Sequence, residues 1–149
     1  MPYSVALVEG VQSSSRRGIA FLESESDDDV NGKEVFESLT AKLKNDVRSR
    51  FDYWLDGNTC DKYFHGWPND QVRKGCFVFK WKRAGTYHRL YGFLFHPRPD
   101  ERSFQACILV SHAQKNTEHT DASELEAVLR LKTSPQAIAA VKKAFKPKG

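Results

Sequence analysis

The sequence predicts an α+β domain, with helices packed on one face of a mostly antiparallel sheet. Three observations lead there. The segment CFVFKWK (76–82) alternates Phe77, Phe79 and Trp81 with Val78, Lys80 and Lys82, the two-residue period of a strand. Val35, Leu39, Leu43, Val47, Phe51 and Leu55 recur at every fourth position, the stripe of an amphipathic helix. The elements run in the order β, helix, β-meander, helices. With 149 residues the chain fits one domain, 1–149, and needs no covalent staple to bury a core.

Taken in order, Tyr3–Val8 reads as a first strand and Gln12–Gly18 as a polar turn region. Ile19–Leu22 suits either a second strand or a helical turn. Glu23–Gly32 (ESESDDDVNG) is an acidic loop, too charged to pack. One helix is expected from about Lys33 to Leu55, capped by Asn31 with Glu34 completing a capping-box-like pair. Asp56-Gly57-Asn58 stops it. Cys60–Lys74 is an aromatic loop in which Trp67-Pro68 cannot continue a helix.

Three strands follow: Cys76–Lys82, Tyr87–Phe95 after the turn Arg83-Ala84-Gly85-Thr86, and Phe104–His112 after the turn Pro97–Glu101. Thr120–Leu131 reads as a helix capped by Thr120 or Asp121, with Leu125, Val128 and Leu129 on its apolar face. Ser134-Pro135 starts a last helix running to Phe145, with proline in the first turn. The basic tail KPKG (146–149) frays.

Composition narrows the function classes. Hydrophobic residues make up 40% and charged residues 28%, the balance of a globular protein. No apolar run approaches the roughly 20 residues of a membrane helix, and MPYSVALVEG has no basic n-region of a signal peptide. A cytoplasmic location is expected. The odd count of cysteines (Cys60, Cys76, Cys107) and the lack of CxxC spacing argue against a disulfide framework. His65, His88, His96, His112 and His119 form no metal-ligand signature, so no metal is nominated. With no GxSxG, no P-loop glycines and no Cys–His pairing, no nucleotide cofactor or covalent mechanism is nominated either.

Net charge is only +4, but its distribution is uneven. Between Gln71 and Pro99 stand seven basic residues (Arg73, Lys74, Lys80, Lys82, Arg83, Arg89, Arg98) and no acid. Such a field concentrates phosphate-bearing ligands. The competing reading is a solvated sheet face.

The stretch KGCFVFKWKRAGTYHRLYGFLF, followed by ACILVSHAQKNTEHTDASELEAVLRLK, resembles the RelE/HigB superfamily of toxins from type II toxin–antitoxin systems, in its phage-derived, HigB-like branch. The resemblance covers about Gly75–Lys132. The family's basic strand end, strand arginine, aliphatic strand and lysine turn fall on Lys80, Arg89, Ile108–Val110 and Lys115 with Thr117. Lys115-Asn116 stands where relatives often carry a lysine pair, and the acidic loop and last helix are additional. The resemblance implies a RelE-like fold and, as activity, ribosome-dependent cleavage of mRNA by an endoribonuclease. The implied partners are mRNA, the ribosome and a cognate antitoxin, with no membrane or small-molecule cofactor. ParE-like relatives share the fold yet poison gyrase.

Cleavage at a 2′-hydroxyl requires a base, a counter-charge for the phosphorane and a proton for the leaving oxygen. Arg89 suits the counter-charge because its planar fork matches a phosphate; the alternative is a snorkelling side chain. Tyr87 and Tyr91 share its face at i−2 and i+2 and can stack on bases or move a proton. Tyr91 suits a core equally well. The expected catalytic set is therefore Arg89, Lys115, Lys80, His112 and Tyr91. The expected RNA-binding set is Lys82, Arg83, Tyr87, Arg73 and Lys74. His112, with Lys115, is expected at the mouth of the cleft as an acid or base, whereas alternation turns His88 and His96 away from Arg89. A non-catalytic nucleic-acid- or protein-binding module of the same fold is the alternative.

Overall fold

The computed structural model describes residues 3–14, 16–98, 103–115 and 122–145. The expected caps Thr120 and Asp121, His119, the Asn116–Thr117 turn and the tail 146–149 lie outside these, as do positions 99–101 of the expected turn Pro97–Glu101.

Six strands form one sheet: β1 (Ser4–Leu7), β2 (Arg17–Glu23), β3 (Phe64–Gly66), β4 (Cys76–Arg83), β5 (Thr86–Phe95) and β6 (Gln105–Lys115), in the order β1-β2-β6-β5-β4-β3. β4, β5 and β6 are the expected meander. Ile19–Leu22 resolves as a strand, β2, which pairs parallel to β6 and makes the sheet mixed. Cys60–Lys74 is not all loop, since β3 adds an edge strand against β4.

Arg83 faces Thr86 across a two-residue turn in which Ala84 (φ 50°) and Gly85 (φ 82°) are both left-handed. That is the backbone of a type I′ hairpin turn, whose twist matches the flanking strands. At the centre of the sheet β5 and β6 approach unusually closely. A Cβ on Gly92 would stand 2.2 Å from the Ile108 carbonyl oxygen. Here the register slips: Tyr91 opposes Ser111, but Gly92 opposes Leu109, leaving Val110 as an extra residue.

Asn31 uses this bulge. Its N–H donates to the Val110 carbonyl (3.1 Å), and its Oδ1 accepts from the His112 N–H (2.9 Å). The side chain is thus committed to β6 and makes no helix cap, contrary to the expected capping box.

The single long helix is two helices, α1 (Gly32–Ser38) and α2 (Ala41–Leu55). Leu39 is extended (φ −68°, ψ 154°), and the Thr40 hydroxyl caps α2 by accepting from the Leu43 N–H. The break changes the phase of the stripe. α1 buries Phe36 rather than Val35, while α2 buries Val47, Phe51, Trp54 and Leu55. Gly57 (φ 91°) follows the helix end as anticipated.

Helices cover both faces of the sheet, not one. α1 and α2 pack with Phe21, Phe77, Phe79, Trp81, Leu90 and Leu109. The turn Ala122–Leu125 (a 3₁₀ helix), α3 (Glu126–Leu131) and α4 (Pro135–Ala144) pack with Leu22, Val78, Tyr91, Phe93, Ile108 and Val110. The reason lies in the strands: Cys76–Phe79 and Ala106–Val110 are buried without interruption, so both sides need cover. Ser134 caps α4, accepting from the Ala137 N–H.

The acidic loop is anchored rather than free. Asp27 accepts from the Tyr3 hydroxyl (2.9 Å) and pairs with Arg130 of α3 (2.9 Å), and Glu23 pairs with Lys33 (2.6 Å). Burial raises the Asp27 carboxyl pKa, but the hydrogen bonds from Tyr3 and Arg130 outweigh it and hold the group below its ordinary value. The three thiols are unpaired with one another, and burial pushes Cys76 and Cys107 up. No helix among the described residues is long and apolar enough to cross a membrane.

Gly92→Ala is expected to lower stability by about 1–3 kcal/mol, because backbone rather than a flexible side chain must give way. Asn31→Ala is expected to lower it by about 1 kcal/mol by leaving the His112 N–H unpaired. Urea midpoints at an unchanged slope would measure both.

Candidate nucleic-acid interface

Hairpin register decides which charges meet. Lys80 opposes Arg89, Lys82 opposes Tyr87 and Val78 opposes Tyr91, so Lys80, Lys82, Tyr87, Arg89 and Tyr91 share one face. Position 115 is in register with Tyr87 on β6. The face is graded from wet to dry. Lys82 and Arg83 are exposed at the tip and Tyr87 is half-buried, whereas Arg89 is 1% exposed and Tyr91 0%.

In the outer part a cation meets an aromatic ring. The Lys82 ammonium lies 4.9 Å from the Tyr87 ring centre and 3.4 Å from its hydroxyl. Lys80 is tied inward: its Nζ donates to the Asp61 carbonyl (2.6 Å), and Arg50, stacked over Tyr63 at 4.5 Å, donates to the Lys80 carbonyl.

The inner part is covered. The Tyr91 hydroxyl donates to the Glu124 carboxylate, on the 3₁₀ turn beneath the strand. Glu124 is a partner that sequence reading missed. Thirty-three residues separate the two, and nothing in the local pattern of either marks the contact.

His112 is on the other side of the sheet. The bulge at Val110 reverses the alternation of β6, so His112 opposes Leu90 and joins His88 instead of Arg89. His88 Nδ1 and His112 Nε2 are 3.1 Å apart, and His88 stacks on Trp81 at 5.2 Å with planes 9° apart. Thus His88, set aside from the Arg89 face, is the neighbour of the very histidine assigned to it. Burial, then the neighbouring His88, lowers the His112 pKa to about 4, so the pair is neutral at pH 7. Among the described residues the Trp81 indole N–H has no hydrogen-bond partner.

The remaining expected contacts are also divided. Arg73 and Lys74 precede β4 while Lys82 and Arg83 end it, about 25 Å away at the rise of a strand. The ten named residues therefore do not form one site. Five lie on the hairpin face, two stand at the far end, Arg83 is at the tip, His112 is on the opposite face and position 115 is at the rim.

Comparison of the chain with protein-family models, curated proteins and solved structures yields no match.

The His112 shift carries a pH dependence. Its folded pKa lies below its unfolded value near 6.5, so the unfolded chain binds the proton first as pH falls. Stability is expected to be complete above pH 6.5 and to fall as pH drops towards about 4. His112→Gln should flatten this loss in urea midpoints taken between pH 7 and pH 4.5, with carboxylate effects persisting below that window.

Proposed function

We propose that the chain is a RelE/HigB-like endoribonuclease toxin that engages mRNA through the β4–β5 face, on the ribosome, with an antitoxin as its natural inhibitor. One observation carries the reading: cross-strand register joins three cations and two tyrosines on a single sheet face that ends in an exposed basic tip. Lys82, Arg83 and Tyr87 receive the strand, the cations through its phosphates and Tyr87 by stacking on a base. Arg89 neutralises the phosphorane formed as the 2′-oxygen attacks phosphorus. Tyr91 and Glu124 are the hydrogen-bonded pair suited to moving the proton.

A second reading is favoured by one observation. Arg89 is 1% exposed, which suits a binding module that uses only the exposed tip and performs no cleavage.

Expression without a partner gene separates the two. The enzyme reading expects growth arrest and new mRNA 5′ ends, both abolished by Arg89→Ala and by the gentler Arg89→Lys, with folding checked by circular dichroism. The binding reading expects no new ends and RNA binding indifferent to Arg89. In either, Lys82→Ala and Arg83→Ala should each flatten the dependence of log K on log salt by about 0.7 per lost phosphate contact on single strands. Absence of both arrest and salt-sensitive RNA binding would sink both readings.

A further inference from the structure

Away from the Arg89 face, the end of the sheet where β2 and β6 begin opens into a cleft of about 780 Å³. That lies within the roughly 300–1,000 Å³ typical of small-molecule sites. Its wall is aromatic. Trp54 and Phe77 have ring centres 5.6 Å apart, Phe64 stacks on Phe77 at 6.0 Å, and Trp67, only half-buried, meets His65 edge-on at 4.8 Å.

Two polar features give the cleft a direction. Arg17, from the start of β2, lines it with its guanidinium 4.6 Å from the Trp54 ring centre and one N–H on the Trp54 carbonyl (2.6 Å). Among the described residues it has no carboxylate partner. A half-buried guanidinium left without a counter-ion is a ready anion site, and Lys74 adds a second cation at the rim.

His65 supplies the other feature. Its Nδ1 lies 3.1 Å from the Gly66 carbonyl oxygen, which can only accept, so Nδ1 carries the proton. Burial keeps the ring neutral, and Nε2 is therefore an acceptor on the cleft wall. The wall thus combines a ring-stacking surface, a hydrogen-bond acceptor and two cations, Arg17 and Lys74, against the one carboxylate that lines it, Asp61. By contrast, the cleft of about 650 Å³ beside the acidic loop is lined by Glu23, Glu25, Glu34 and Glu37, the wrong sign for a phosphate.

We propose that the aromatic cleft binds a nucleotide, its base stacked on Trp67 with an N–H given to His65 Nε2, and its phosphate held by Arg17. The site does not depend on the hairpin's action on RNA, because it uses neither Arg89 nor the exposed tip. A free nucleotide and a nucleotide within a strand present the same chemistry.

Calorimetric titration of the whole chain with AMP, CMP, adenosine and a short single-stranded tetranucleotide distinguishes them. AMP and CMP are expected to bind saturably and at least ten-fold more tightly than adenosine. Arg17→Gln should remove that ten-fold preference without weakening adenosine, and Arg17→Lys should restore part of it. Trp67→Ala should weaken nucleotide and nucleoside alike by about ten-fold. Tighter binding of the tetranucleotide than of AMP identifies a strand as the natural source, and equal binding identifies a free nucleotide. Adenosine binding as tightly as AMP, an unaltered Arg17→Gln, or no saturable binding by any probe would overturn the proposal.

Discussion

Asn31 forms two hydrogen bonds to β6, one to the Val110 carbonyl and one from the His112 N–H, and much of the molecule is arranged around them. The bulge at Val110 frees the carbonyl that Asn31 needs. Gly92, opposite, supplies the space for the close approach of the two strands. Together they seat the start of α1 on the central strand and set which way every later side chain of β6 faces. A one-residue insertion into a strand has this power because side chains alternate with a period of two.

The second constraint is that the central strands are apolar on both sides. β4 carries Phe77 and Phe79 towards α2 and Cys76 and Val78 towards α3 and α4. A sheet of that kind is covered twice, which explains why the C-terminal helices lie across from α1 and α2. The Tyr3–Asp27–Arg130 contacts then link the acidic loop to α3, so the charge-dense segment ties β1 to the far helical layer. Opposite charge and a shared carboxylate give it order that its composition does not suggest.

The same double cover shapes the electrostatics. At the hairpin tip the cations of Lys82 and Arg83 reach solvent; further along β5, Arg89 and Tyr91 do not. A desolvated guanidinium is a stronger but less accessible partner for phosphate than an exposed lysine. The hairpin consequently exposes cations at its tip and buries Arg89 and Tyr91 behind it. The aromatic cleft lies at the opposite end of these strands, and its Arg17, without a carboxylate partner among the described residues, came from a stretch whose composition suggested only a polar turn.

Local physics was legible in the amino-acid order. Alternation located β4 and β5, the Ala84-Gly85 turn joined them, and Ser134-Pro135 started α4 where expected. Alternation also put Lys80 with Lys82 and Arg89 with Tyr87 and Tyr91, while cross-strand register decided that the two sets share one face. Each of these depends on neighbours a few residues apart. The rest depended on contacts between distant segments. Thr40 divided the long helix by capping α2, and Glu124 closed over Tyr91 from 33 residues away. The Val110 bulge, stabilised by Asn31 from 79 positions earlier in the chain, sent His112 to the opposite face. Periodicity determines which residues of an uninterrupted strand face the same way. Only the packed sheet determines where the period is broken.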